Sequence, residues 1–140
     1  MINVFIGYDP KEIVAYHTLV QSIIEHTSIP VSITPIAKRH LKTIYQRTRS
    51  VKESTEFSLT RFLTPYLSNY EGWSIFMDCD MVVTSDLKNL WDLRDDNYAV
   101  MCVKHDYTPS SERKFLDQIQ TVYPKKNWSS VMLFNNIKCK

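Results

Sequence analysis

The chain has 140 residues, a net charge of +2 and only two glycines, Gly7 and Gly72, where roughly ten are usual for this length. That shortage excludes a G-x-x-x-x-G-K-[ST] phosphate loop and a G-x-G-x-x-G dinucleotide turn, because both need clustered glycines. With 44% hydrophobic and 23% charged residues, the composition is that of one ordinary globular domain rather than a disordered chain.

In chain order, the apolar run over residues 2–8 reads as a buried first strand. Asp9 can cap the next helix, Pro10 suits its first position and Glu12 completes a capping-box-like pair. The helix should reach residue 26, with Ile13, Tyr16, Val20, Ile23 and Ile24 on its apolar face. Residues 30–37 alternate as a second strand, and Pro35 marks it as an edge. A basic stretch with Lys38, Arg39, Lys42, Arg47, Arg49 and Lys52, free of acids, comes next as loop or irregular helix. Ser54 or Thr55 should start another helix carrying Phe57, Phe62, Leu63 and Leu67, which Pro65 kinks or ends. Residues 73–77 form a third strand delivering Asp78-Cys79-Asp80, with Val82 and Val83 continuing extended. Ser85 should cap a short helix with Leu87, Leu90, Trp91 and Leu93. Residues 98–103 read as a fourth strand, 112–122 as a helix and 130–134 as a fifth strand.

Strands alternating with helices predict an α/β layer fold with a largely parallel sheet, in which ligands bind beyond the carboxyl ends of the strands. Asp9, Asp78 and Asp80 all fall at such ends. Without repeats or linkers, residues 1–140 read as one domain. Cys79, Cys102 and Cys139 are an odd number without C-x-x-C spacing, which fits a reduced, cytoplasmic chain and argues against a disulfide scaffold or zinc knuckle. The first residues lack the basic flank and cleavage site of a signal peptide, and no apolar run approaches the roughly 20 residues of a membrane span. In that compartment the sequon Asn127-Trp128-Ser129 carries no meaning.

Asp78-x-Asp80 is the most informative feature. Alternation puts both carboxylates on one side of an extended segment, where they repel unless a cation joins them. Oxygen ligands favour a hard ion, Mg²⁺ or Mn²⁺, and such ions are usually shared between a few carboxylates and substrate phosphates. The pair therefore reads as a metal–diphosphate bridge, a device open to a chain without a glycine cradle. The buried run Ile75-Phe76-Met77 before it strengthens this reading, because carboxylates at a buried strand end are costly without a partner.

The segments Phe57-Ser58-Leu59-Thr60-Arg61-Phe62-Leu63-Thr64-Pro65-Tyr66-Leu67, Ile75-Phe76-Met77-Asp78-Cys79-Asp80-Met81-Val82-Val83 and Asp86-Leu87-x-x-Leu90-Trp91 together resemble glycosyltransferases of family eight, nucleotide-sugar enzymes with the GT-A fold. The opening strand ending Gly7-Tyr8-Asp9 fits the resemblance, as does Ser129-Ser130-Val131-Met132-Leu133 against the family's N-S-G-V-M segment. The resemblance implies that Asp78 and Asp80 bind Mn²⁺ or Mg²⁺, with Asp80 bridging it to the diphosphate and Asp78 also near the ribose. It implies Arg61 at the donor phosphates or sugar, Tyr8 and Asp9 bordering the nucleoside, and Ser129 and Ser130 on the sugar and acceptor side. The implied activity is transfer of a sugar, with retention, from a UDP-sugar to a hydroxyl of a glycan, a lipid-linked or a small acceptor.

Family members are longer, and a histidine in an H-x-x-G-x-x-[PK]W-like segment adds a metal ligand. None of His17, His26, His40 or His105 sits in such a segment, so the chain is expected to be a fragment or a degenerate relative. Asn127 stands one place before the expected position, which Trp128 occupies, and Ser130 replaces the family's glycine.

Two other functions compete. Asp78-Cys79-Asp80-Met81-Val82 also matches the D-x-D-x-[TV] of haloacid-dehalogenase phosphatases, with Asp78 as nucleophile. Those enzymes carry it on the first core strand and need a downstream lysine and acidic pair, whereas here it arrives late and Asp95-Asp96 too early. A nucleotide-sugar-binding domain without turnover is the non-enzyme alternative. Sugar-nucleotide pyrophosphorylases are excluded with the glycine-rich loop they need. A nucleic-acid partner is not expected, because residues 38–52 hold one aromatic, Tyr45. His105-Asp106-Tyr107 reads as a polar loop, Cys79 as core-facing, and Trp73 and Trp91 as packing residues.

Overall fold

The computed structural model describes residues 1–51, 53–105 and 126–140. Five strands form one sheet: β1 (Ile2–Tyr8), β2 (Val31–Ala37), β3 (Trp73–Met77), β4 (Val100–His105) and β5 (Lys126–Asn135), in spatial order β2-β1-β3-β5-β4. β1 lies between β2 and β3 and runs parallel to both, whereas β5 pairs antiparallel with β3 and with β4. Four strands thus share one direction and β5 opposes them. The antiparallel course is a topological fact that strand patterning does not reveal. β2 is an edge strand, as Pro35 indicates, and its missing N–H is tolerated there.

The central strands are apolar on both faces because both are covered. Ile2, Val4, Ile6, Ile75 and Phe76 are fully buried, and each such side chain contributes roughly 1.5–3 kcal/mol of burial. The helix α1 (Ile13–Glu25) covers the sheet through Leu19, Ser22 and Ile23, while Ile13 and Ile24 face solvent. This differs from the face expected from hydrophobicity, because the buried stripe includes a serine. Ser22 Oγ donates to the Leu19 carbonyl and accepts the Val83 N–H at 3.0 Å, so its burial is satisfied. That bond holds residues 81–84 as a non-strand segment rather than an extension of β3.

The segment before β3 is more broken than a single helix. Residues 54–59 form turns, a 3₁₀ turn covers Thr60–Leu63, and α2 (Thr64–Leu67) carries Pro65 in its first turn, where a missing N–H costs nothing. Phe57 is buried and Phe62 exposed. The chain then turns sharply, with Asn69, Tyr70 and Gly72 all at positive φ. The short helix α3 (Leu87–Trp91) is capped by Asp86, not Ser85. Asp86 accepts the Lys88 N–H and also the Ser28 N–H, tying α3 to the loop after α1. Leu93 lies beyond it, exposed. β4 starts two residues later than expected, and β5 is longer at both ends. The expected helix over 112–122 and residues Asp106 and Tyr107 lie outside the described residues. Among the described residues no helix is long and apolar enough to cross a membrane.

Candidate active site

The register of β1, β3 and β5 brings most of the expected site residues to one end of the sheet. β1 ends at Tyr8 and β3 at Met77, and Met77 pairs with Val131 on β5, so Asp78 emerges beside Ser129 and Ser130. The Asp78 N–H donates to the Ser130 carbonyl at 2.8 Å, extending that pairing by one bond.

Arg61 reaches this corner from the 3₁₀ turn before α2. Its Nη1 lies 3.0 Å from Asp78 Oδ1 and donates to the Ser129 carbonyl at 2.9 Å and to Ser129 Oγ at 3.1 Å. Its guanidinium also sits over the rings of Phe57 and Phe76, 5.5 Å and 5.2 Å from their centroids. Arg61 is buried. It is therefore engaged with the Asp78 carboxylate, Ser129 and two aromatic faces.

Asp78 Oδ1 is a buried oxygen without a well-aligned hydrogen bond, although the Arg61 charge is close. Burial pushes the Asp78 carboxyl above its usual range. Arg61 and a hydrogen bond from Ser130 pull it down, and the neighbouring Asp80 charge pushes it up again. Asp80 is exposed. The two carboxylates, Asp78 paired with Arg61 and Asp80 open to solvent, are oxygen donors of the kind a hard divalent cation takes. Among the described residues no group of three His, Cys, Asp or Glu side chains could hold a metal.

Cys79 turns to the opposite side, fully buried, and its Sγ donates to Glu12 Oε2 at 2.9 Å. Burial and the Glu12 carboxylate push the thiol well above its ordinary range, so it stays protonated. Glu12 thus ties the 3₁₀ turn after β1 (Pro10–Glu12) to the Asp78–Asp80 segment, instead of closing a capping box.

Asp9 is almost fully buried, and both oxygens are used. Oδ1 accepts the Lys11 N–H and Oδ2 the Glu56 N–H, each at 3.0 Å. It joins the end of β1 to the segment that carries Phe57 and Arg61. Tyr8 is half-buried, packs edge-on against Tyr16 at 5.4 Å, and has the Arg39 guanidinium 5.5 Å over its ring. Tyr8, Tyr16, His17, Ala37 and Arg39 are among the residues lining a pocket of about 220 Å³. The sequence reading puts Tyr16 on the apolar face of α1 and Arg39 in the basic stretch, and places neither beside Tyr8. The signal was available for Arg39, which lies just past the carboxyl end of β2 and so must lie beside Tyr8 in a parallel sheet.

A mixed sheet whose third strand ends in two carboxylates, backed by an arginine and flanked by a strand-end tyrosine, is an arrangement of the GT-A kind. The sequence matches the profile "Glycosyl transferase family 8" over residues 7–139. The chain belongs to that family. It is 54% identical over 135 residues to "Protein CDI" of Arabidopsis thaliana, covering 95% of this chain and 52% of that protein. The chain thus spans about half the length of the curated relative it matches. The fold is similar to that of the bifunctional glycosyltransferase WbbM in its apo form, with a TM-score of 0.62 and 19% identity over 96% of this chain and 31% of that one. It is also similar to the glycosyltransferase GlyE of Streptococcus pneumoniae TIGR4, with a TM-score of 0.59 and 20% identity over 99% of this chain and 35% of that one. Family membership sets aside the haloacid-dehalogenase alternative, and here the D-x-D comes after the third strand rather than the first.

Proposed function

We propose that the chain carries the donor site of a metal-dependent glycosyltransferase, which moves a sugar from a UDP-sugar to a hydroxyl acceptor with retention. The observation that carries the reading is the state of Asp78. Its carboxylate is mostly buried, its Oδ1 lacks a well-aligned hydrogen bond, and the exposed Asp80 lies two residues on. A largely buried carboxylate beside a second carboxylate is costly, and Arg61 at 3.0 Å offsets part of that cost where a bound cation would offset more.

Asp78 and Asp80 would hold Mn²⁺ or Mg²⁺, which when bound neutralises charge on the leaving nucleoside diphosphate. Arg61 holds the Asp78 carboxylate in place and opposes the upward push of burial on it, and Ser129 and Ser130 hold the same corner from β5. Tyr8 offers a ring beside the carboxyl end of β1 for the nucleoside, with Asp9 setting the backbone beneath it. The acceptor, a glycan or a lipid-linked or small hydroxyl compound, would approach from the Ser129–Ser130 side.

A second reading is a nucleotide-sugar-binding domain without turnover. It is favoured by the absence, among the described residues, of a third metal-ligating side chain beside the two aspartates. Release of UDP from a panel of UDP-sugars, measured with Mn²⁺ and after chelation, separates the two. Metal-dependent release supports the transferase. Metal-dependent UDP binding with no release from any donor supports the binding domain. Release unaffected by chelation contradicts both.

A further inference from the structure

A second groove adjoins the Tyr8 end of β1, with a volume of about 560 Å³. Lys38, Arg39, Lys42, Arg47 and Arg49 line it, and Glu56 is the one acid among its described lining residues. The segment around it is held by the fold. Leu41 is buried, and its carbonyl accepts the N–H groups of Ile44 and Tyr45 at 3.0 Å and 2.7 Å. That turn presents Lys42 and Ile44 to solvent. Further on, Arg49 donates to the carbonyls of Glu53 and Ser54.

Several of the cations keep their charge open. Lys38 lies over the Tyr45 ring and Arg39 over the Tyr8 ring, and Lys42 is exposed. Among the described residues none of the three forms an ion pair. Arg47 pairs with Glu53 yet keeps 53% of its side chain exposed. The sequence has no acid from residue 38 to residue 52. Clustered like charges repel, and an anionic partner relieves the repulsion.

Aliphatic side chains stand among these charges. Val51 is 93% exposed and Ile44 40%. Val51 shares a neighbouring hollow with Lys11 and Arg49, and Arg49 also lines the basic groove. Ile44 sits in the chain between Lys42 and Tyr45, both lining residues. One exposed aliphatic residue is ordinary on a protein surface. Two of them set among open cations suit a lipid interface, where cations meet anionic headgroups and aliphatic groups enter the acyl boundary. A dissolved polyanion would use the charges and leave the aliphatic pair idle. Single-stranded nucleic acid uses successive aromatic platforms, and Tyr45 is the one aromatic among the described lining residues.

We infer that residues 38–51 dock the chain on an anionic lipid surface. Headgroup phosphates enter the groove beside Lys38, Arg39, Lys42 and Arg47, and Ile44 and Val51 reach the acyl boundary. This face lies on the β2 side of β1 and Asp78 on the β3 side, so docking and metal-dependent nucleotide binding are separable.

The test is cosedimentation of the full chain with vesicles of phosphatidylcholine alone and of phosphatidylcholine with about 30% phosphatidylserine. Binding to the anionic vesicles should be about tenfold or more stronger at low salt, and the difference should shrink as the screening length falls. Lys42→Gln/Arg47→Gln should lose about tenfold of anionic-vesicle binding. Ile44→Ser/Val51→Ser should lose about threefold or more, through the aliphatic contact alone. Both double variants should keep the wild-type Tm and Mn²⁺-dependent UDP binding. Equal binding to the two vesicles, no binding to either, or anionic-vesicle binding indifferent to either double variant would overturn the inference. So would binding to an RNA oligomer that is tighter than to the vesicles. Absence of metal-dependent UDP binding by the wild type, with vesicle binding intact, would instead sink the transferase reading and leave the docking surface standing.

Discussion

Arg61 and Asp78 form a largely buried ion pair, Nη1 to Oδ1 at 3.0 Å, with 10% and 16% of their side chains exposed. The pair joins the turn before α2 to the end of β3 and is shared with Ser129 on β5. One arginine therefore ties together three chain segments that build the site. Removing it should leave a buried carboxylate unpaired. Arg61→Ala is expected to cost about 3 kcal/mol of stability, read by urea denaturation. The double variant Arg61→Ala/Asp78→Asn should recover much of that loss. Equal stability of the single and double variants would show that the pair is not coupled.

Asp78 also sets a pH dependence. Its carboxyl is raised in the folded chain, with burial the main cause. The folded state therefore holds the proton more tightly than the unfolded state. The stability this contributes is complete below the ordinary carboxylate value near 3.9 and is lost as pH rises through the raised folded value. Above that folded value the charge is a destabilising element in the metal-free chain. Asp78→Asn should then remove this pH dependence from the metal-free chain, and should abolish any rise in Tm with Mn²⁺. A metal-free Tm that varies with pH in this variant as it does in wild type would contradict the assignment to Asp78.

Gly7 is one of the two glycines, and its role is close approach. A Cβ at Gly7 would stand 2.4 Å from the Phe57 ring. Phe57 is buried and lies beneath the Arg61 guanidinium. Gly7→Ala is expected to cost about 1–3 kcal/mol by overpacking and to disturb Arg61 through the displaced ring. Adding Phe57→Leu should relieve part of the loss in thermal melts, and no relief would place the strain elsewhere.

Asp9 accepts the Lys11 N–H with one oxygen and joins β1 to Glu56 through the Glu56 N–H with the other. Asp9→Ala should lose about 1–2 kcal/mol, as for loss of a buried capping side chain. Hydrogen exchange at the Glu56 amide should accelerate most. Unchanged protection there would mean that the bond does not hold the segment in solution.

Much of this was legible locally. β1, β3 and the carboxylates after β3 are visible because apolar runs of strand length end in charged residues. The edge position of β2 is marked by Pro35. The hidden features depend on partners distant in sequence. Ser22 reads as a polar interruption of α1 until Val83 supplies its donor. Asp9 reads as a helix cap, and its second oxygen is claimed by Glu56, forty-seven residues away. Asp86 rather than Ser85 caps α3 because it also receives Ser28. Arg61 is named by its motif, yet its burial between Phe57, Phe76 and Asp78 is a property of packing. The direction of β5 needs the whole sheet.

The central claim is that Asp78 and Asp80 bind a divalent cation that in turn binds a nucleoside diphosphate. Calorimetric titration of the chain with UDP, with and without Mn²⁺, tests it most directly when repeated on Asp80→Ala. The account predicts UDP binding that requires Mn²⁺ and falls by at least about tenfold in the variant, a loss of about 1.4 kcal/mol or more. Tight UDP binding without metal, or metal-dependent binding unchanged in Asp80→Ala, would contradict it.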